Sequence, residues 1–140
     1  MLIRFIKLVD DAIPFKYSRE GDACLDMFAK EDVLIRPYGT ALISTGIAVE
    51  IPSGFVGIVK GRSGLAYHNN LLVHTGTIDS NYRGDVGVII FNLSNDSVQI
   101  HKNMRIAQFS VHCAIHLDLK EVDELSITNR GTQGYGSSGT

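Results

Sequence analysis

Four glycine-bearing polar stretches carry residue types that could act on a phosphorylated ligand. Gly61, Arg62, Ser63 and Gly64 follow the apolar run FVGIV. Glycines there let backbone N–H groups approach an anion, a helix start adds positive dipole, and Arg62 and Ser63 supply charge and a hydroxyl. The same residues also suit an ordinary strand-to-helix turn with an exposed arginine. The second stretch, His74 to Asp85, reads HTGTIDSNYRGD. It offers Asp79 as a base or water-orienting carboxylate and Tyr82 as an aromatic plate for a flat ligand. A hairpin whose Asp, Asn and Gly only shape the turn would look alike. A third turn, Gly21 to Asp26 (GDACLD), could add a carboxylate to a metal-bound phosphate site, although an aspartate such as Asp26, taken alone, is more often a strand-end or turn residue. Finally, Gly134 to Gly139 read GYGSSG. The G-x-G-x-x-G spacing holds a pyrophosphate only where a strand feeds it and a helix begins from it. Here only Thr140 follows, so these glycines need another explanation.

The elements that must position these residues read as strands almost throughout. From Phe109 to Leu119 every odd residue is apolar, a strict period of two that predicts a strand with one buried face. In Val86 to Phe91 both parities are apolar, which predicts a strand covered on both sides, in a sandwich core or against another subunit. Further strands are expected over Ile3 to Val9, Val33 to Ile35, Ala41 to Val49, Val56 to Val59 and Val98 to Ile100, separated by turn clusters rich in Gly, Pro, Asn and Asp. Only Ser63 to Asn69 reads as a helix, and a brief one. Short strands at this spacing predict an all-β sandwich or barrel.

Bulk properties narrow the classes of function. A chain of 140 residues suits one domain. Its 13 basic and 15 acidic residues are interspersed, giving a net charge of −2 and no basic face for a nucleic acid polymer. Arg4 and Lys7 interrupt the apolar N-terminus, and no uninterrupted apolar run is long enough to span a bilayer. A soluble, cytoplasmic protein is expected, with no membrane partner. Cys24 and Cys113 sit among apolar neighbours without metal-ligand spacing and read as reduced packing residues.

The order of these stretches is more specific than any one of them. The sequence resembles the trimeric dUTP pyrophosphatases (dUTPases): DACLDMFA (22–29) is similar to the first motif of that family, GRSGLA (61–66) to the second, GTIDSNYRGDVG (76–87) to the third, RIAQF (105–109) to the fourth and RGTQGYGSSG (130–139) to the fifth. The resemblance implies a distorted, mostly antiparallel jelly-roll β-barrel over residues 1–127, and a mobile C-terminal arm over 128–140. It also implies a homotrimer that uses Mg²⁺ and converts dUTP and water to dUMP and pyrophosphate. Such a reaction limits uracil incorporation into DNA and supplies dUMP for thymidylate synthesis.

By the same resemblance, Asp79 positions and deprotonates the water that attacks the α-phosphorus, and Asp26 holds the water network around the metal without ligating it directly. Arg62, Ser63, Gly64 and Gln108 hold phosphates. Main-chain groups of a hairpin running from Val73 through Gly76, Thr77 and Ile78 to Asp79 read uracil, with Gly87 also at the substrate. Tyr82 lies against the deoxyribose and excludes a 2′-hydroxyl. In the arm, Arg130 meets the γ-phosphate, Ser137 and Ser138 with the backbone near Gly136 bind the terminal phosphates, and Tyr135 stacks on uracil. The glycines then serve close wrapping around phosphate. The chain departs from the family pattern at Cys24, Met27, Gly61, Val73 and Asn103; asparagine tolerates positive φ, so the turn at Asn103 should survive. A dCTP deaminase of the same fold is a competing reading. Its catalytic glutamate would fall at Ile89, which cannot move a proton. A non-catalytic trimer is another, though it has no need of Asp26, Asp79, Gln108 and Arg130 together.

Overall fold

The structure is a computed structural model describing residues 1–134. Along the described chain run β1 (Arg4–Lys7), β2 (Leu25–Phe28), β3 (Val33–Ile35), β4 (Thr40–Ile43), β5 (Ile47–Glu50), β6 (Phe55–Lys60), α1 (Ser63–Asn69), β7 (Leu71–Val73), β8 (Gly76–Ile78), β9 (Val88–Asn92), β10 (Val98–Ile100) and β11 (Arg105–Cys113). The strands pair in the orders β1-β5, β10-β3, β2-β11-β6-β8 and β4-β9-β7, every pairing antiparallel. This is the antiparallel, nearly all-β fold expected of a jelly roll, its ladders not joined into one closed barrel. No helix among the described residues is long and apolar enough to cross a membrane.

One hydrophobic core joins these sheets. Met27, Ile35, Ile43, Ile47, Val59, Leu71, Val88, Ile90, Ile100, Ile106 and Phe109 are all buried in it, and Leu65 pins the helix to it. Alternation along β9 puts such residues on one face, as burial of apolar area requires, whereas in β11 a register shift between Arg105 and Ala107 buries Ile106 as well as Ala107 and Phe109. Gly57 of β6 lies across from Val111, where an added Cβ would stand 2.6 Å from Phe109 Cζ; the glycine makes room for that ring. Asn92 is the buried polar junction of the turns. Its amide donates to the carbonyls of Ile35, Arg36 and Asp96, and its Oδ1 accepts from the Ser94 N–H and hydroxyl.

Several elements differ from the sequence expectations. The helix spans the expected residues, but the strand from Phe109 ends at Cys113 instead of reaching Leu119. Its partner β6 begins at Phe55, opposite Cys113, so beyond the bond from the Ala114 N–H to the Gly54 carbonyl there is no edge to pair with. Ile115, Leu117 and Leu119 are consequently exposed, and so is Cys113, which is a free thiol but not a packing residue of this chain. The run Ala41 to Val49 divides into β4 and β5 at a turn where Gly46 takes φ +68°. In Val86 to Phe91 one face is buried, whereas Ile89 is exposed and Phe91 half-buried, so the chain alone covers one side only. Val73 and Gly76 do not face each other in a hairpin: β7 pairs with β9 and β8 with β6, the chain crossing between sheets at His74 and Thr75. Asn103 has φ 67°, and its N–H reaches the Ala29 carbonyl, so the substituted turn is intact.

Candidate active site

Asp26 stands on β2 opposite Gln108 of β11, which is itself opposite Lys60 at the end of β6. Two backbone hydrogen bonds tie Asp26 to Lys16 and thereby bring Ser18 beside the carboxylate. Only 4% of Asp26 is exposed. Ser18 Oγ donates to Oδ2 at 2.6 Å, Arg105 Nη1 lies 3.4 Å from the same oxygen, Arg62 Nε lies 3.4 Å from Oδ1, and Gln108 Nε2 donates weakly to Oδ1 at 3.5 Å. A second guanidinium nitrogen of Arg62 donates to the Arg105 carbonyl at 3.0 Å, which fixes the side chain across the strand end. Arg62 precedes α1 in extended conformation, and no side chain caps the helix, leaving Ser63 and Gly64 exposed at its start. Asp26, Arg62, Arg105 and Gln108 thus line one open cleft of about 420 Å³ together with Ser18, Arg19, Asp22 and Cys24.

Burial by itself would push the Asp26 carboxyl up. The hydrogen bond from Ser18 and the charges of Arg62 and Arg105 outweigh it and hold the group below the usual carboxylate range. A carboxylate depressed in the folded state contributes stability above its unfolded pKa, and that contribution is lost as pH falls through the lower folded value. Asp26→Asn is therefore expected to flatten the acid loss of stability. Urea midpoints of wild type and variant, compared from about pH 5 downward, should converge at low pH; parallel curves would remove this role.

A second cleft, of about 550 Å³, is lined by Gly76, Thr77, Ile78, Asp79, Tyr82 and Gly87, with Glu31, Leu42, Ser44, Asp85 and Ile89. Asp79 follows β8 directly and is exposed. A Cβ on Gly87 would meet Leu42 Cδ1 at 2.8 Å, so glycine keeps that wall clear. The position where a deaminase would need glutamate is apolar Ile89, in this same cleft.

Of the expected residues, Asp26, Arg62 and Gln108 form one group and Gly76, Thr77, Ile78, Asp79, Tyr82 and Gly87 another, while Ser63 and Gly64 line neither cleft; the sheet keeps the two groups apart. Asp26 lies on β2 and Asp79 follows β8, opposite edges of the order β2-β11-β6-β8, three strand spacings or about 14 Å across. They are also displaced along the strands, since Asp26 belongs to the rung of Lys60 and Ile78 to that of Gly57. Val73 lines neither cleft. Its side chain is core, in line with a main-chain role only. Arg130 is exposed, its Nε donating to the Gln133 carbonyl, and it too lines neither cleft. Tyr135, Gly136, Ser137 and Ser138 lie outside the described residues. The sequence reading gave no role to Ser18, Arg105, Gly84 or Asp85. Arg105 was visible within RIAQF; nothing in the sequence marks Ser18, whose place depends on the pairing of Lys16 with Asp26.

Among the described residues no three His, Cys, Asp or Glu side chains gather as a metal cage. The one buried carboxylate of the first cleft is paired with two guanidiniums, a charge pattern that suits an anionic ligand.

Comparison with known proteins identifies the family. The dUTPase family profile matches residues 10–139. The deoxyuridine 5'-triphosphate nucleotidohydrolase of a Picosynechococcus species is 47% identical over 142 aligned positions, covering 100% of both chains. The dUTPase of Staphylococcus bacteriophage 80alpha, solved with dUPNHPP, is 30% identical over 99% of both chains with a TM-score of 0.94. A mutant dUTPase of phage phi11 of S. aureus, solved with a structural Mg(II) ion, is 26% identical over 91% of this chain and 100% of that chain, TM-score 0.86. With the whole fold superposable on such structures and the match running through every motif, this chain belongs to the dUTPase family.

Proposed function

We propose that the protein hydrolyses dUTP to dUMP and pyrophosphate as a homotrimer whose active sites lie between chains. The observation that supports the intersubunit arrangement is the separation of Asp79 from Asp26: a base and a phosphate-holding cluster on opposite edges of one sheet are brought to one triphosphate most simply by two copies. Kinship with nucleotide-bound dUTPases supports the substrate. The uncovered apolar face of β9 and the exposed residues after β11 offer surfaces for neighbouring copies.

Asp79 accepts a proton from water as the water oxygen bonds to the α-phosphorus; the bond from that phosphorus to the bridging oxygen breaks, and pyrophosphate departs. Arg62, Ser63, Gly64 and Gln108 of the other chain hold the phosphates, with Asp26 setting the guanidinium and the surrounding water. Mg²⁺ bound with the substrate would neutralise phosphate charge, Asp26 meeting it through water. Uracil would lie against main-chain groups from Val73 to Asp79, and Tyr82 against the sugar. Residues 128–140 would act as an arm that closes over the nucleotide, Arg130, Tyr135, Gly136, Ser137 and Ser138 supplying the contacts. A nucleoside triphosphate substrate supports work inside a cell, in the cytoplasm or in a host cell's interior.

The test is direct. The protein is mixed with Mg²⁺ and dUTP, dCTP, dTTP or UTP, and pyrophosphate and ammonia are followed. Pyrophosphate from dUTP alone is expected. Ammonia from dCTP would establish the deaminase, and no turnover at all the non-catalytic trimer.

A further inference from the structure

Pentose discrimination by Tyr82 requires that its ring be unable to recede, and the 79–87 loop holds a device for that. Tyr82 is 43% exposed, so packing alone does not immobilise it. Its Oη donates to the Asp85 carbonyl at 3.0 Å, bending the side chain back over the intervening residues. Beneath it lies Gly84: a Cβ there would stand 2.4 Å from Oη, 2.6 Å from Cζ and 3.1 Å from Cε2. Gly84 does not occupy the left-handed region, so the glycine answers a need for room, not for a special backbone.

The next residue anchors the arrangement. The Asp85 carboxylate accepts from the Gly46 N–H at 3.0 Å, the Thr45 hydroxyl at 3.2 Å, the Thr45 N–H at 3.3 Å and the Ser44 hydroxyl. Those donors form the turn that divides β4 from β5. The 44–46 turn therefore holds Asp85, whose carbonyl holds the Tyr82 hydroxyl, while Gly84 leaves room for the hydroxyl end of the ring.

We propose that Gly84 and Asp85 are positioning residues that set how closely the Tyr82 ring bounds the sugar, and hence how strongly the site prefers a 2′-deoxynucleotide. The inference rests on the dUTP reading above. It assigns the selectivity to the clamp and not to the ring alone, because an untethered ring on an exposed loop would yield to an extra hydroxyl.

Steady-state kcat/KM for dUTP and for UTP is measured for wild type, Gly84→Ala and Tyr82→Phe, each as the assembled protein. In Gly84→Ala the methyl displaces the ring, and the dUTP-to-UTP ratio should fall about tenfold or more. Tyr82→Phe keeps the ring and the glycine but removes the tether to Asp85; its ratio should fall several-fold, on the order of one neutral hydrogen bond. A general loosening of the loop would lower turnover of both nucleotides together and leave the ratio alone. Should Gly84→Ala not fold, Tyr82→Phe decides by itself. Unchanged ratios in the folded variants, or a wild type that hydrolyses UTP as well as dUTP, overturn the clamp. A wild type inert toward dUTP overturns the proposed function instead.

Discussion

Asp79→Asn should lower kcat for dUTP by about 10²–10⁴-fold, the range lost with a positioned general base, while leaving affinity for a non-hydrolysable dUTP analogue nearly unchanged. The amide keeps the shape of the side chain but cannot take the proton of the attacking water. Its site tolerates the swap: Asp79 is exposed at the end of β8 and contributes nothing to the core cluster. Rapid-quench turnover alongside calorimetric titration of the analogue separates the two effects. A fully active variant would strip Asp79 of its role, and a variant that neither binds nor turns over would make it a binding residue.

Deleting residues 128–140 should reduce kcat/KM for dUTP by at least about a hundredfold, if each lost charge-assisted hydrogen bond contributes about 1.5–3 kcal/mol. The same deletion should leave thermal stability within the scatter of ordinary surface changes, about 0.5 kcal/mol. This contrast follows from the chain itself. Residues 128–134 are exposed, and their hydrogen bonds run among themselves, as from Gly131 to Thr128 and Gln133 to Arg130. Nothing in the core depends on them. Normal turnover by the truncated protein would refute a closing arm; a collapsed melting temperature would mean that the segment belongs to the fold.

What the sequence disclosed depended on whether a signal was local. The helix at Ser63–Asn69 and the strands β3 and β10 could be read because their turns and apolar periods lie within a few residues. The extent of β11 could not, since period two states which face is apolar but not where the partner strand runs out; the length of β6 decides that. The split of Ala41 to Val49 was hidden for a similar reason. Its cause is a carboxylate from Asp85, some forty positions away, satisfying the turn. Strand β2 was read only as an acidic turn because its polar flank, GDAC, dominates four short residues. Motif order pointed to Asp26, Arg62, Gln108, Asp79 and Tyr82 as site candidates, but not to their division between clefts, which is a property of strand order. Ser18 was invisible, since a lone serine gains meaning only when a distant pairing sets it 2.6 Å from a buried acid.

The four-strand order β2-β11-β6-β8 has one further consequence. Under the proposed assembly, an enzyme whose complementary halves sit on opposite edges of each copy owns no complete machinery until copies meet. Newly made, scarce or dissociated chains would then be silent, and catalysis would rise more steeply than protein concentration near the assembly threshold.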